Sequence, residues 1–313
     1  MAIDLYGETG SKELICSVFH DEREVPKKWL YHGFLFVAVE DESRLLDLIL
    51  KERDESQWDK ELHFIGLNRT RTMNALAERL TYLFCNHLHG FVYFYLLGID
   101  YTQLTKDLWA DRKTRDHRIY NRFFQIGLYS AIKWLFLHKD SDLEKLIIEN
   151  IYSDEKERSI NDLFHSMPIT DIVFKSLIKD EPIEFTNQRI VEVNSDHKQE
   201  LRYKSQSHII QLVDLLVGAF SQTMDATSEH EGKCNVADIM TRHELPAILM
   251  KYDDDYFSSP FYKKYCISFF PKVRMSEKEI ISEKVFRQKS QFYNLREIGH
   301  LHVGQPSLFD SIQ

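Results

Sequence analysis

Four acidic residues could do chemistry together: Glu8, Glu61, Asp154 and Asp214. Asp214 is the most telling. It lies inside His-Ile-Ile-Gln-Leu-Val-Asp-Leu-Leu-Val-Gly-Ala-Phe (residues 208–220), where Ile210, Val213, Val217 and Phe220 recur at helical spacing. Leu212, Leu215 and Leu216 fill most of the remaining faces. A helix apolar nearly all round is a buried helix. An unpaired, ionised Asp there would cost several kcal/mol, so it needs a partner or a cation. Carboxylates converging from separate strands and one helix would supply the oxygen ligands that Mg2+ or Mn2+ prefers. Each residue also has an ordinary explanation. Glu8 and Asp154 could be solvated turn residues, Glu61 a surface residue before a strand, and Asp214 the partner of an Arg.

Other chemistry is sparser. Arg112, Lys113, Arg115, Arg118 and Arg122 crowd the start of a long helical pattern. They are the best candidate contact to nucleic acid, with a solvated helix face as the usual alternative for such runs. Cys85-Asn86-His87-Leu88-His89 and His300-Leu301-His302 lack the four-ligand spacing of a structural zinc site. No Gly-rich phosphate loop or Gly-x-Ser-x-Gly elbow occurs.

The chain has 313 residues and a net charge of −9, so a global electrostatic grip on nucleic acid is not expected and a local basic patch would have to supply it. Hydrophobic residues make up 43%, enough to exclude disorder over the whole chain. Four widely spaced cysteines suit reduced thiols in the cytoplasm. No apolar run reaches the roughly 18 residues of a membrane helix, and Met1-Ala2-Ile3-Asp4 lacks the features of a signal peptide. A cytoplasmic location without a membrane partner is therefore expected.

Which elements would position the carboxylates? Residues 3–8 read as a short strand stopping at Thr9-Gly10. Residues 29–40 and 91–99 are nearly unbroken apolar runs, suited to strands covered on both faces. Helices are expected around Leu45–Leu50, across Met73–Leu83, over 115–137 and over 207–222. Further strands are expected at 146–153 and 189–194. Alternation of strands and helices argues an α/β fold with a mixed sheet, the 207–222 helix packed on it. Residues 1–225 would form this domain, 226–298 a helical or mixed C-terminal extension, and 299–313 a flexible tail.

Four segments in order carry a resemblance: Gly7-Glu8-Thr9-Gly10, Glu61-Leu62-His63-Phe64, Asp154, and Gln211-Leu212-Val213-Asp214-Leu215-Leu216-Val217-Gly218. Together they resemble the bacterial domain-of-unknown-function 3800 family over roughly residues 3–225. The resemblance implies an RNase H-like mixed sheet flanked by helices, with acidic residues gathered for divalent metals. It implies a nuclease that cleaves DNA or RNA phosphodiesters with two metal ions. Glu8, Glu61, Asp154 and Asp214 would be the catalytic and metal-holding residues, and His63 or the basic helix would approach the phosphate. Gly7 stands where the family has an Asp, which leaves a decayed, non-catalytic DNA-associated adaptor as the alternative. Separately, Gln305-Pro306-Ser307-Leu308-Phe309 resembles the peptide that docks bacterial repair proteins on the sliding clamp, with Gln305 at a polar pocket and Leu308 and Phe309 in an apolar cleft.

Overall fold

The computed structural model describes residues 13–25, 29–88, 91–101, 115–137, 143–155, 182–187, 189–225, 228–250 and 265–270. Strands β1 (Glu13–Val25), β2 (Trp29–Ala38) and β3 (Val92–Asp100) form an antiparallel meander. Helices α1 (Glu42–Ser56) and α2 (Arg71–His87) lie between β2 and β3 in the chain. After α3 (Arg115–Leu135), strand β4 (Lys145–Asp154) returns to pair with β1 in parallel. Strands β5 (Ile183–Phe185) and β6 (Ile190–Val193) both pair with β4 in parallel. Helices α4 (Lys204–Asp225) and α5 (Glu231–Met250) follow, and β7 (Tyr265–Phe270) runs parallel to β3. The sheet order is β5-β4-β1-β2-β3-β7, with β6 also on β4. This is the expected mixed sheet flanked by helices.

Every residue of β2 and β3 is buried, because each face of the sheet has its own cover. On one face Phe19, Tyr31, Leu35 and Val37 pack with residues of α1, α2, α4 and α5. On the other, Val18, Phe34, Phe36 and Tyr95 pack with Phe123, Phe124 and Leu128 of α3. Strand alternation then sorts β1: Phe19, Asp21 and Arg23 face α4, whereas His20 and Glu22 face α3.

The expected elements at 29–40, 91–99, 115–137, 146–153, 189–194 and 207–222 are all present within a few residues of their ends. The apolar run from Trp29 leaves the sheet after Ala38, at a 3₁₀ turn (Val39–Asp41) that leads into α1. Residues 3–8 lie outside the described residues; the first strand among those is β1. From the 226–298 stretch, α5 packs against α2 and α4, and β7 extends the sheet beside β3. No helix among the described residues is long and apolar enough to cross a membrane.

Two glycines set how closely α4 approaches the sheet. A Cβ on Gly33 of β2 would run into the Val217 side chain, and a Cβ on Gly218 would run into the Phe64 ring. Helix α4 therefore sits against both β2 and the Glu61–Phe64 segment with almost no clearance.

Candidate functional site

Gln211 and Asp214 are three residues apart on α4 and so share one face. Each accepts a backbone N–H from the extended segment Glu61-Leu62-His63-Phe64. Leu62 N–H donates to Gln211 Oε1 at 2.8 Å, and Phe64 N–H donates to Asp214 Oδ2 at 2.7 Å. Gripping alternate residues fixes the segment's facing. Leu62 and Phe64 go fully into the core, and Glu61 and His63 turn the other way.

His63 then lies between two carboxylates. Its Nε2 is 2.8 Å from Glu61 Oε1 and its Nδ1 3.1 Å from Asp214 Oδ2. Both ring nitrogens face acceptors, so the ring is an imidazolium donating twice. Hydrogen bonds to Asp214 and then Glu61 push its pKa up to about 11, outweighing burial. The same hydrogen bond holds the Glu61 carboxyl below its usual range. Ser195 Oγ also donates to Glu61 Oε1, at 2.8 Å. Gln211 secures that loop: its amide nitrogen donates to the Ser195 carbonyl, while its Oε1 also accepts from the buried Arg53 guanidinium.

Asp154 closes β4 beside this cluster. Burial pushes its pKa up to about 6, and the charges of Asp214 and Glu61 push the same way; the nearby Ser195 hydroxyl and the His63 charge oppose them. One strand over, His20 of β1 is opposite Ser153 of β4, so Asp21 and Asp154 are the next residue of each strand. Asp21 is buried, on the face toward α4, and its Oδ1 accepts the Glu22 N–H at 2.8 Å. Both carboxylates act on Tyr120 of α3. Burial first, then Asp21 and Asp154, raise that hydroxyl's pKa well above normal. The Tyr120 O–H donates to Glu22 Oε2 at 2.8 Å.

Glu61, Asp154 and Asp214 are thus brought together from a loop, a strand end and a helix. Asp214 is partnered by His63 and a backbone N–H, not by an Arg. Both nitrogens of His63 are committed to these carboxylates. Glu8 and Gly7 lie outside the described residues, as do Arg112, Lys113, Gln305, Leu308 and Phe309. Arg115 and Arg118 open α3, and their side chains are likewise outside the description. Arg122 is exposed on α3, near Gln125. Among the described residues, no group of three or more His, Cys, Asp or Glu is disposed to hold a metal ion as it stands.

Sequence reasoning missed Asp21, Ser195 and the role of Gln211. A signal for Asp21 existed: an acidic pair, Asp21-Glu22, one residue after the largely apolar stretch Leu14–Phe19. Ser195 carries no signal of its own, because a loop serine is meaningful only once Glu61 is beside it. No protein-family model matches the chain, and no curated protein is detectably similar to it.

Proposed function

We propose that the chain is a divalent-metal-dependent nuclease, hydrolysing the phosphodiesters of DNA or RNA on an RNase H-like sheet. The observation that carries this reading is the gathering of Asp154, Asp214 and Glu61 from three separate elements, with Asp21 on the neighbouring strand. The donor set is all oxygen, which suits Mg2+ or Mn2+. Asp154 is a partly buried carboxylate held against like charges, an arrangement that a bound cation relieves. His63 spans Glu61 and Asp214, and its side chain is 41% exposed, so it has solvent to turn into. With His63 turned out, Asp154, Asp214, Glu61 and Asp21 would hold the metal. A bound divalent pair supplies an activated water and stabilises the leaving oxygen. The protein's own part is to orient these carboxylates through Gln211, Ser195 and the Phe64 N–H.

Incubation with Mn2+ or Mg2+ and labelled DNA and RNA oligonucleotides tests the proposal. Cleavage should appear with metal, stop with chelator, and vanish in Asp214→Asn while the circular dichroism spectrum stays unchanged. A protein that binds no Mn2+ by calorimetry, or an active Asp214→Asn variant, overturns it.

One observation favours a second reading. The His63 imidazolium already balances Glu61 and Asp214 without any metal. That suits a non-catalytic DNA-associated adaptor, for which the Mn2+ titration should show no binding.

Recruitment to DNA by the sliding clamp is a further part of the proposal, and the sequence of the tail alone supports it. A peptide of residues 300–313 should bind a bacterial clamp with micromolar-type affinity, because ordering a free peptide on binding offsets part of the contact energy. Replacing Leu308 and Phe309 by Ala should erase that binding, since each buried large apolar group is worth roughly 1.5–3 kcal/mol. Unchanged binding would mark the motif as chance.

A further inference from the structure

Three cations converge on the turn that follows His63. The Arg23 guanidinium, from β1 two residues past Asp21, lies 4.5 Å from the centre of the Phe64 ring. Lys233 Nζ, from the first turn of α5, lies 5.5 Å from the same centre. Arg69 folds over Gly66, its Nε 3.7 Å from where a Cβ on that glycine would stand. A clasp holds the turn and the helix together. Asn68 adopts a left-handed conformation, φ 85°, which Asn tolerates better than most residues. Its side-chain oxygen accepts the Gly232 N–H, and its own N–H donates to Asn74 Oδ1 at 2.7 Å.

This concentration is unusual in a chain of net charge −9. Some other cations are ion-paired: Arg79 with Glu52 and Glu55, Lys145 with Glu184, Lys198 with Asp59. Among the described residues no carboxylate lies within ion-pair distance of Arg69 or Lys233. Burial, then the charges of Arg23 and Arg69, lowers the pKa of Lys233. Such a cluster is complementary to an anion. Ile65, 69% exposed at the tip of the turn, offers an apolar contact to a sugar or base.

We infer that Arg23, Arg69 and Lys233 form a cradle for the phosphate backbone of a nucleic-acid strand, beside His63 and the carboxylates. The inference rests on the nuclease reading for the class of its ligand. Arg122, the one residue of the basic run expected from the sequence as a nucleic-acid contact whose side chain is described, lies on α3, which covers the other face of the sheet.

Binding of a labelled 20-nucleotide single strand, as DNA and as RNA, and of the matching duplexes is to be measured in chelator, where no cleavage occurs. For Arg69→Gln/Lys233→Gln the affinity at 100 mM salt should fall about tenfold or more. The slope of log Kd against log salt should shrink by about 1.5, at roughly 0.7–0.9 for each phosphate that is no longer neutralised. The exposed single variant Arg69→Gln should give about half that change, and Lys133→Gln on α3 should give none. A strand bound with an unchanged slope, or no strand bound by the wild type at low salt, overturns the cradle. Mn2+ calorimetry on the same double variant separates the two ideas. Wild-type oligonucleotide binding without Mn2+ binding sinks the nuclease and leaves the cradle standing, whereas Mn2+ binding without oligonucleotide binding does the reverse.

Discussion

Asp154→Asn is expected to make the metal-free protein more stable and, at the same time, inactive. The wild-type carboxyl has its pKa raised to about 6 in the fold by burial and by the neighbouring charges of Asp214 and Glu61, against an ordinary 3.8. The sign follows from linkage. A carboxylate whose folded pKa is raised binds its proton more tightly in the fold than in the unfolded chain. Stability is therefore lost as pH rises from about 4 through 6, and the loss is complete above that window. At about 1.4 kcal/mol per pKa unit the cost is at most about 3 kcal/mol near pH 8. Asparagine is nearly isosteric and carries no charge, so it removes that cost. Thermal unfolding in chelator should show Asp154→Asn melting higher than wild type at pH 8, with the gain gone near pH 4. Metal-dependent cleavage should fall to background. A variant that melts lower at pH 8 would show that the carboxylate is a structural partner, not a group held ready for a cation.

The second large effect is expected at Gly218. Adding a single methyl there drives it into the Phe64 ring. The ring cannot retreat easily. It is fully buried, its own N–H is held by Asp214, and Arg23 lies against it. Overpacking of this kind costs roughly 1–3 kcal/mol, so Gly218→Ala should lower the melting temperature by about 3–10 °C. Cleavage should drop as well, because Phe64 carries Glu61 and His63 with it. Phe64→Leu frees space at the contact, so the double variant should be less destabilised than the sum of the singles, with a coupling of about 1 kcal/mol or more. Strict additivity would place the damage elsewhere.

Much of the fold was legible because burial on both faces leaves a plain trace. The runs at Trp29–Ala38 and Val92–Asp100 are apolar at nearly every position, and the middle of α4, residues 209–220, is apolar but for Gln211 and Asp214. Two of the site's segments were legible for a related reason: polar residues inside apolar surroundings stand out. What was not legible was β1. Its last third, His20-Asp21-Glu22-Arg23-Glu24, reads as a solvated stretch, since strand pattern alone cannot show that α3, α4 and β4 will cover it. Asp21 went unnoticed with it. Strand β7 was hidden differently: Tyr265–Phe270 is a short apolar run between charged stretches, and only pairing with β3 gives it a place. The way Gln211 and Asp214 hold Leu62 and Phe64 was also beyond reach. Partners about 150 positions apart leave no local signal.

The parallel pairing of β1 with β4 has a consequence for how the protein is made. His20 and Ser153 touch although 133 positions separate them. During synthesis β1 can form its hairpin with β2 at once, but its other edge must wait for β4 to leave the ribosome. An open strand edge invites pairing with other chains. Here the tip of that edge carries His20 through Glu24, a polar run that discourages such pairing. Contacts so distant in sequence also form slowly. Asp21 acquires Asp154 only when β4 docks, and neither meets Asp214 until α4 has been translated. A nascent chain halted before residue 204 would hold most of its sheet and none of its assembled carboxylate cluster, so the cluster assembles only once α4 has been made.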